Sequence, residues 1–180
     1  MQTMRFGLAA VAIAGLALAG CGKADDGPKT MEEAKQEAAK LDRPKPGQYT
    51  QSMKITKFEM ADAPPEMAKQ MQATLGQQQA TSFCLTDQMA DEGYQEMFRE
   101  VSRDGQCKYD RFNVSGGTLD AVMKCDSPAE GQGTIKLNGK VSSEGSDITV
   151  EIDSTNSEST LGRTVIGMKM STKRTGDCPK

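Results

Sequence analysis

Hydrophobic positions along the chain follow three rhythms. Over residues 6–18 they form an almost unbroken run of Ala, Leu, Val, Ile and Gly, behind five residues that carry one positive charge, Arg5. The run is shorter than the ~20 apolar residues of a spanning helix and has the form of a secretory leader's h-region. Over residues 22–47 large apolar residues are sparse, and Gly27-Pro28 and Pro44-Lys45-Pro46-Gly47 bracket a stretch that reads as a tether. Within it, residues 30–41 predict a short helix. Thr30 and Glu33 make a capping box, and Met31, Ala34, Ala38 and Leu41 give a thin stripe. A helix that short is marginal in water, so it is expected to serve as a spacer rather than to dock.

From Gln48 the period becomes two. Tyr49, Met53 and Ile55 alternate with polar residues, as in a half-buried strand, while Phe58 and Met60 fall on the other parity and predict a bulge near Lys57. Ala63-Pro64-Pro65 ends that strand. A helix then starts at Pro65, with Met67, Met71 and Leu75 on one face. A polar bridge over 77–80 leads to a short strand over 81–85. A second helix over 86–101 carries Tyr94, Met97, Phe98 and Val101 on one side. After Asp104-Gly105, strands are predicted over 107–114, 118–125, 134–141, 147–153 and 163–175, near the roughly 8–12-residue spacing of an all-β domain. Ser115-Gly116-Gly117 is a hairpin turn. The expected fold is mainly β. It is an antiparallel meander, or a partly closed barrel-like sheet, with two short helices between the first strands. Alternation means one wet face and one buried face, which must close on itself or be covered by the helices.

Composition narrows the function classes. The 22 basic and 25 acidic side chains leave a net charge of -3, which argues against a nucleic-acid partner. Only 36% of residues are hydrophobic, so the core is lean. The chain has no His, and with it lacks the commonest general base and the commonest metal ligand.

The leader ends in Leu18-Ala19-Gly20-Cys21, which resembles the lipobox of bacterial lipoproteins. The resemblance implies cleavage before Cys21, a diacylglyceryl thioether on its sulfur and acylation of the new amino terminus. It divides the chain into a leader (1–20), a lipidated tether (21–46) and a β domain (47–180). The expected location is the bacterial cell envelope, membrane-anchored through lipid and facing the periplasm. Gly22 in place of Asp leans toward the outer membrane.

Further motifs lie along the body. Arg43-Pro44 and Pro46-Gly47 precede Tyr49, and Ala63-Pro64-Pro65-Glu66-Met67 follows the first strand. Phe83-Cys84-Leu85-Thr86, Cys107 with Tyr109, Val114-Ser115-Gly116-Gly117, Met123-Lys124-Cys125 and Arg174 with Gly176-Asp177-Cys178 complete the set. Together they resemble the bacterial domain-of-unknown-function family numbered 3617, over about residues 43–178. The resemblance implies a β-rich exported domain and brings no activity.

Four cysteines remain beyond Cys21: Cys84, Cys107, Cys125 and Cys178. In an exported domain they read as two disulfides. Three pairings exist. If Phe112 shares the buried face with Leu119, strand parity puts Cys107 and Cys125 on opposite faces. That favours Cys84–Cys107 with Cys125–Cys178. A bulge at Asp110-Arg111 reverses the conclusion, since one extra residue flips the side chains beyond it. No C-x-x-C occurs, so a redox or metal role for these cysteines is disfavoured.

Methionine is abundant at 12 residues, with Met60, Met67 and Met71 near Pro64. Thioethers fill irregular cores, line adaptable apolar grooves or bind Cu(I). The carboxylates of Asp87, Asp91, Glu92 and Glu96 read as a wet helix face, and Lys169, Lys173 and Arg174 as a solvated strand end. The leading expectation is a protein that is not an enzyme, needs no cofactor and binds or supports an envelope protein or lipid. The alternative is a carrier or sensor of a lipophilic or metal ligand in a groove at Met60, Met67 and Met71.

Overall fold

The computed structural model describes residues 27–75, 79–93, 107–127, 131–155 and 162–179. The leader, Cys21 and the stripe of Tyr94, Met97, Phe98 and Val101 lie outside the described residues.

Seven strands form one antiparallel sheet: β1 (Gly47–Met60), β2 (Gln79–Leu85), β3 (Cys107–Ser115), β4 (Thr118–Ser127), β5 (Gly131–Ser142), β6 (Gly145–Thr155) and β7 (Arg163–Gly176). The order is β2-β1-β7-β6-β5-β4-β3. Strands β3 to β7 are a meander. The first strand then pairs with the last, and β2 lies outside β1, so β2 and β3 are the edges and the sheet stays open. At the β3–β4 turn, Gly116 and Gly117 both take positive φ, 53° and 72°, as a tight two-residue hairpin loop requires. A register shift between Ile55 and Lys57 marks the bulge expected there, and it restores Phe58 to the face of Ile55.

Among the described residues three helices accompany the sheet: α1 (Met31–Ala38), α2 (Pro65–Leu75) and α3 (Asp87–Glu92). Helix α2 packs beside β1. Helix α3 stops at Glu92, short of the predicted end, because Gly93 turns to φ 55° and donates its N–H to Met89 O.

Helix α1 forms with its capping box intact, but it is not the free spacer expected of it. Ala34, Ala38 and Leu41 are buried against Tyr109, Phe112, Val114, Leu119, Ala121, Met123 and Val141. Small side chains let the helix axis come close to the sheet, and burial of its stripe supplies the stability that a short helix lacks alone. The same segment covers the β3 edge. Lys29 N–H donates to Tyr109 O at 2.8 Å, and the Glu37 carboxylate accepts the Val114 N–H at 3.3 Å.

The disulfides are Cys84–Cys178 and Cys107–Cys125, which corrects the pairing favoured by parity. The reason is a bulge between Tyr109 and Arg111 that leaves Asp110 without a cross-strand partner. The extra residue moves Cys107 and Tyr109 onto the face of Phe112 and sets Cys107 directly opposite Cys125. The other bridge straps across the start of β1, where Gln48 is paired with Cys84 on one side and Gly176 on the other.

Candidate functional site

The register sorts the side chains of six strands into rows, and three rows on one face are non-polar along their whole length. From β3 to β1, one runs Val114, Leu119, Gly139, Ile148, Met170, Met53. The next runs Phe112, Ala121, Leu137, Val150, Met168, Ile55, and the third runs Tyr109, Met123, Ile135, Ile152, Ile166, Phe58. The opposite face carries charge, with Lys136–Glu151 at 2.8 Å, Arg111–Asp120 at 2.8 Å and Lys57–Glu59 at 3.4 Å. Such exposed pairs keep that face wet and add little stability.

Among the described residues, cover over the apolar rows is uneven. Under α1, the side chains of β3 and β4 are buried, and Phe112 is only 1% exposed. On β6, β7 and β1, Val150 is buried, but Ile148, Ile152, Ile166, Met168, Met170, Met53, Ile55 and Phe58 are all half-buried. The part of this face that α1 leaves uncovered, called the open face below, is the candidate site.

Its ends are defined. Toward the β5–β6 turn the face becomes polar, where Ser146 and Thr172 share a hydrogen bond of 2.8 Å. Beyond that row the 43–46 segment crosses the end of the sheet. Lys45 N–H donates to Ser143 O at 2.8 Å, the Tyr49 hydroxyl reaches Lys45 O at 2.7 Å, and Arg174 Nε donates to Pro46 O at 2.8 Å. Burial pushes the Tyr49 hydroxyl above its ordinary pKa, so it stays protonated and keeps donating. At the other end Ser154, Thr164 and Met60 follow the last apolar row.

The three methionines expected to form a groove do not gather as one lining. Met60 ends β1 half-buried, Met71 is half-buried on α2, and Met67 faces solvent with 43% of its surface exposed. The thioether grouping falls instead on Met53, Met168 and Met170: Met53 lies directly opposite Met170, and Met168 is two residues along the same face. The signal was present in the sequence. Six alternating strands bring eighteen non-polar positions onto one face, and Met53, Met168 and Met170 are among them by parity.

Among the described residues the two larger clefts lie elsewhere. One of about 530 Å³ separates α1 from α3. Leu41, Ala38 and Ala90 line its floor, and Arg43 crosses it to ion-pair with Asp91 and donate to Ala90 O at 3.3 Å. The other, about 550 Å³, is a polar hollow on the wet face near Lys124, Asp110 and Asp153. Among the described residues no three His, Cys, Asp or Glu side chains are grouped to hold a metal ion. No described helix is long and apolar enough to cross a membrane.

The family profile described as "Protein of unknown function (DUF3617)" matches residues 44–178. The chain belongs to the DUF3617 family. No curated protein and no solved structure matched it. The DUF3617 match begins at Pro44, after α1, and takes in the seven strands, both disulfides and the whole open apolar face. The helix that covers β3 and β4 therefore lies before the matched region, while the open rows on β6, β7 and β1 lie inside it.

Proposed function

We propose that this DUF3617 chain is a membrane-anchored envelope protein that works by non-catalytic binding on the periplasmic side, through the open apolar face of β6, β7 and β1. The observation that carries this reading is the uneven cover of three continuous apolar rows. The solvent-accessible part of half-buried Ile, Met and Phe side chains standing side by side costs solvation free energy that a bound apolar partner removes. The Leu18-Ala19-Gly20-Cys21 motif supports the anchored location.

Extraction of the acylated protein from native membranes in mild detergent, followed by mass spectrometry of the proteins and lipids that remain with it, tests the reading. An apolar partner retained in fixed stoichiometry is expected, and it should be lost when Ile55 or Ile166 is replaced by Asp. Recovery of the bare chain, with nothing retained by either form, would overturn it.

A further inference from the structure

We infer that the open apolar face holds one acyl chain of a membrane lipid. This rests on the binding reading above and specifies its ligand. The first argument is size. Three strands ~4.8 Å apart, crossed by three same-face rows ~6.8 Å apart, give a footprint of about 14 by 20 Å, or roughly 300 Å² at most, since Val150 within it is buried. A stable protein interface buries about 800 Å² on each partner, so the patch is too small for a folded protein or a second copy of this chain. A bilayer's hydrocarbon core is ~30 Å thick, so one leaflet's chain spans about 15 Å, and three rows accommodate it.

The second argument is reach. The folded body starts no later than Lys29, which is hydrogen-bonded to Tyr109 on the β3 edge. Only the seven residues 22–28 separate it from Cys21. At ~3.5 Å per extended residue they span no more than about 25 Å. A lipid on Cys21 therefore keeps the whole domain at the bilayer surface. The open rows lie three to five strands from that attachment, within about 25 Å of it. The face is bounded by Ser146 and Thr172 at one end and by Ser154 and Thr164, with Met60 beside them on β1, at the other, so on β6 and β7 an apolar chain is held between polar margins. Met168 at its centre, with Met170 and Met53 in the row beside the Ser146–Thr172 margin, lets the floor adapt to chains of different unsaturation.

The test uses the mature chain from residue 21 carrying Cys21→Ser, so that no lipid of its own is present. The probe is a sixteen-carbon fatty acid with a diazirine near its tail. Saturable labelling at one probe per chain is expected, mapped by peptide mass spectrometry to β7 and β1, and competed by unlabelled palmitate. Met168→Glu should weaken binding by about tenfold or more, while Thr149→Lys, on the wet face, leaves it unchanged. Should Met168→Glu fail to fold, the label map of the unmutated face decides alone. Labelling that does not saturate, or that falls on the α1–α3 cleft or the wet face, overturns the inference. A stoichiometric protein partner cross-linked to β7 from native membranes overturns it as well. Failure of the anchor is read separately, as unchanged membrane retention of Cys21→Ser in cells.

Discussion

The Glu37 carboxylate stands where a neighbouring strand would otherwise pair: it accepts the Val114 N–H on the outer edge of β3 and the Lys40 ammonium at 2.6 Å. Partial burial raises its pKa, but the hydrogen bonds from Lys40 and Val114 and the nearby positive charges outweigh that, and the net direction is down. A carboxylate with a lowered folded pKa contributes stability above the ordinary carboxylate range and loses it as pH falls through the folded value. Glu37→Ala should cost about 1 kcal/mol near neutral pH by leaving the Val114 N–H without its partner. Glu37→Gln, which still accepts that bond, should cost less, and its difference from the native chain should vanish in acid. Urea melts between pH 3 and 7 read both effects. Tyr109 shows the opposite dependence. Burial pushes its hydroxyl up to about 12, so the folded state holds the proton more tightly than the unfolded chain. Stability should fall as pH rises above about 10, and Tyr109→Phe should remove that part of the loss in thermal melts. Neither role was legible in sequence, where Glu37 is one polar helix position among several and Tyr109 one alternating apolar residue.

At the scale of elements, periodicity located the strands because their alternation is strong, and it located the bulge at Lys57 because Ile55 and Phe58 cannot share a face without one. The same signal was available at Asp110. Tyr109 and Phe112 are both aromatic and three residues apart, so an unbulged strand cannot bury both. Reading parity from Phe112 without using Tyr109 left the bulge at Asp110-Arg111 as the alternative and exchanged the disulfide partners. Docking of α1 was illegible for another reason: its contact surface is made of alanines, whose value lies in close approach rather than in hydrophobic bulk. Non-reducing peptide mapping of the exported protein should recover Cys84–Cys178 and Cys107–Cys125. The sequence separations are 94 and 18 residues. In the chain-entropy account these loops are worth about 4.7 and 3.2 kcal/mol. Paired Ala substitution of Cys84 and Cys178 should therefore destabilise more than that of Cys107 and Cys125, by about 1.5 kcal/mol in denaturant melts. A reversed order would show that packing of the Cys107–Cys125 bridge into the core beside Tyr109 and Met123 outweighs loop length.

The whole molecule is asymmetric in cover rather than in sheet. Three rows continue unbroken from β3 to β1, yet α1 packs on the β3 side of the sheet and its core cluster takes in no residue of β7 or β1. The helix also shortens the linker, because a chain expected to hang from the membrane by residues 21–46 is joined to the β3 edge by Lys29. With the lipid proposed on Cys21, what remains between it and the body would be too short to let the domain leave the bilayer surface, so the proposed anchor would have a consequence beyond location. Cys21→Ser should block acylation and cleavage, so the leader stays attached and the mass of the product is that of the unprocessed chain. The apolar run over 6–18 is too short to span securely, so the variant should be recovered largely in the soluble fraction, whereas the native protein should need detergent. Two or more acyl chains hold a protein stably where a single chain is marginal, so salt or alkaline washing should not release the native form. Intact-mass analysis of the membrane-extracted protein decides the matter. An unmodified thiol on Cys21 would remove the anchor, and with it the reason for a lipid to be the nearest apolar partner of β7 and β1.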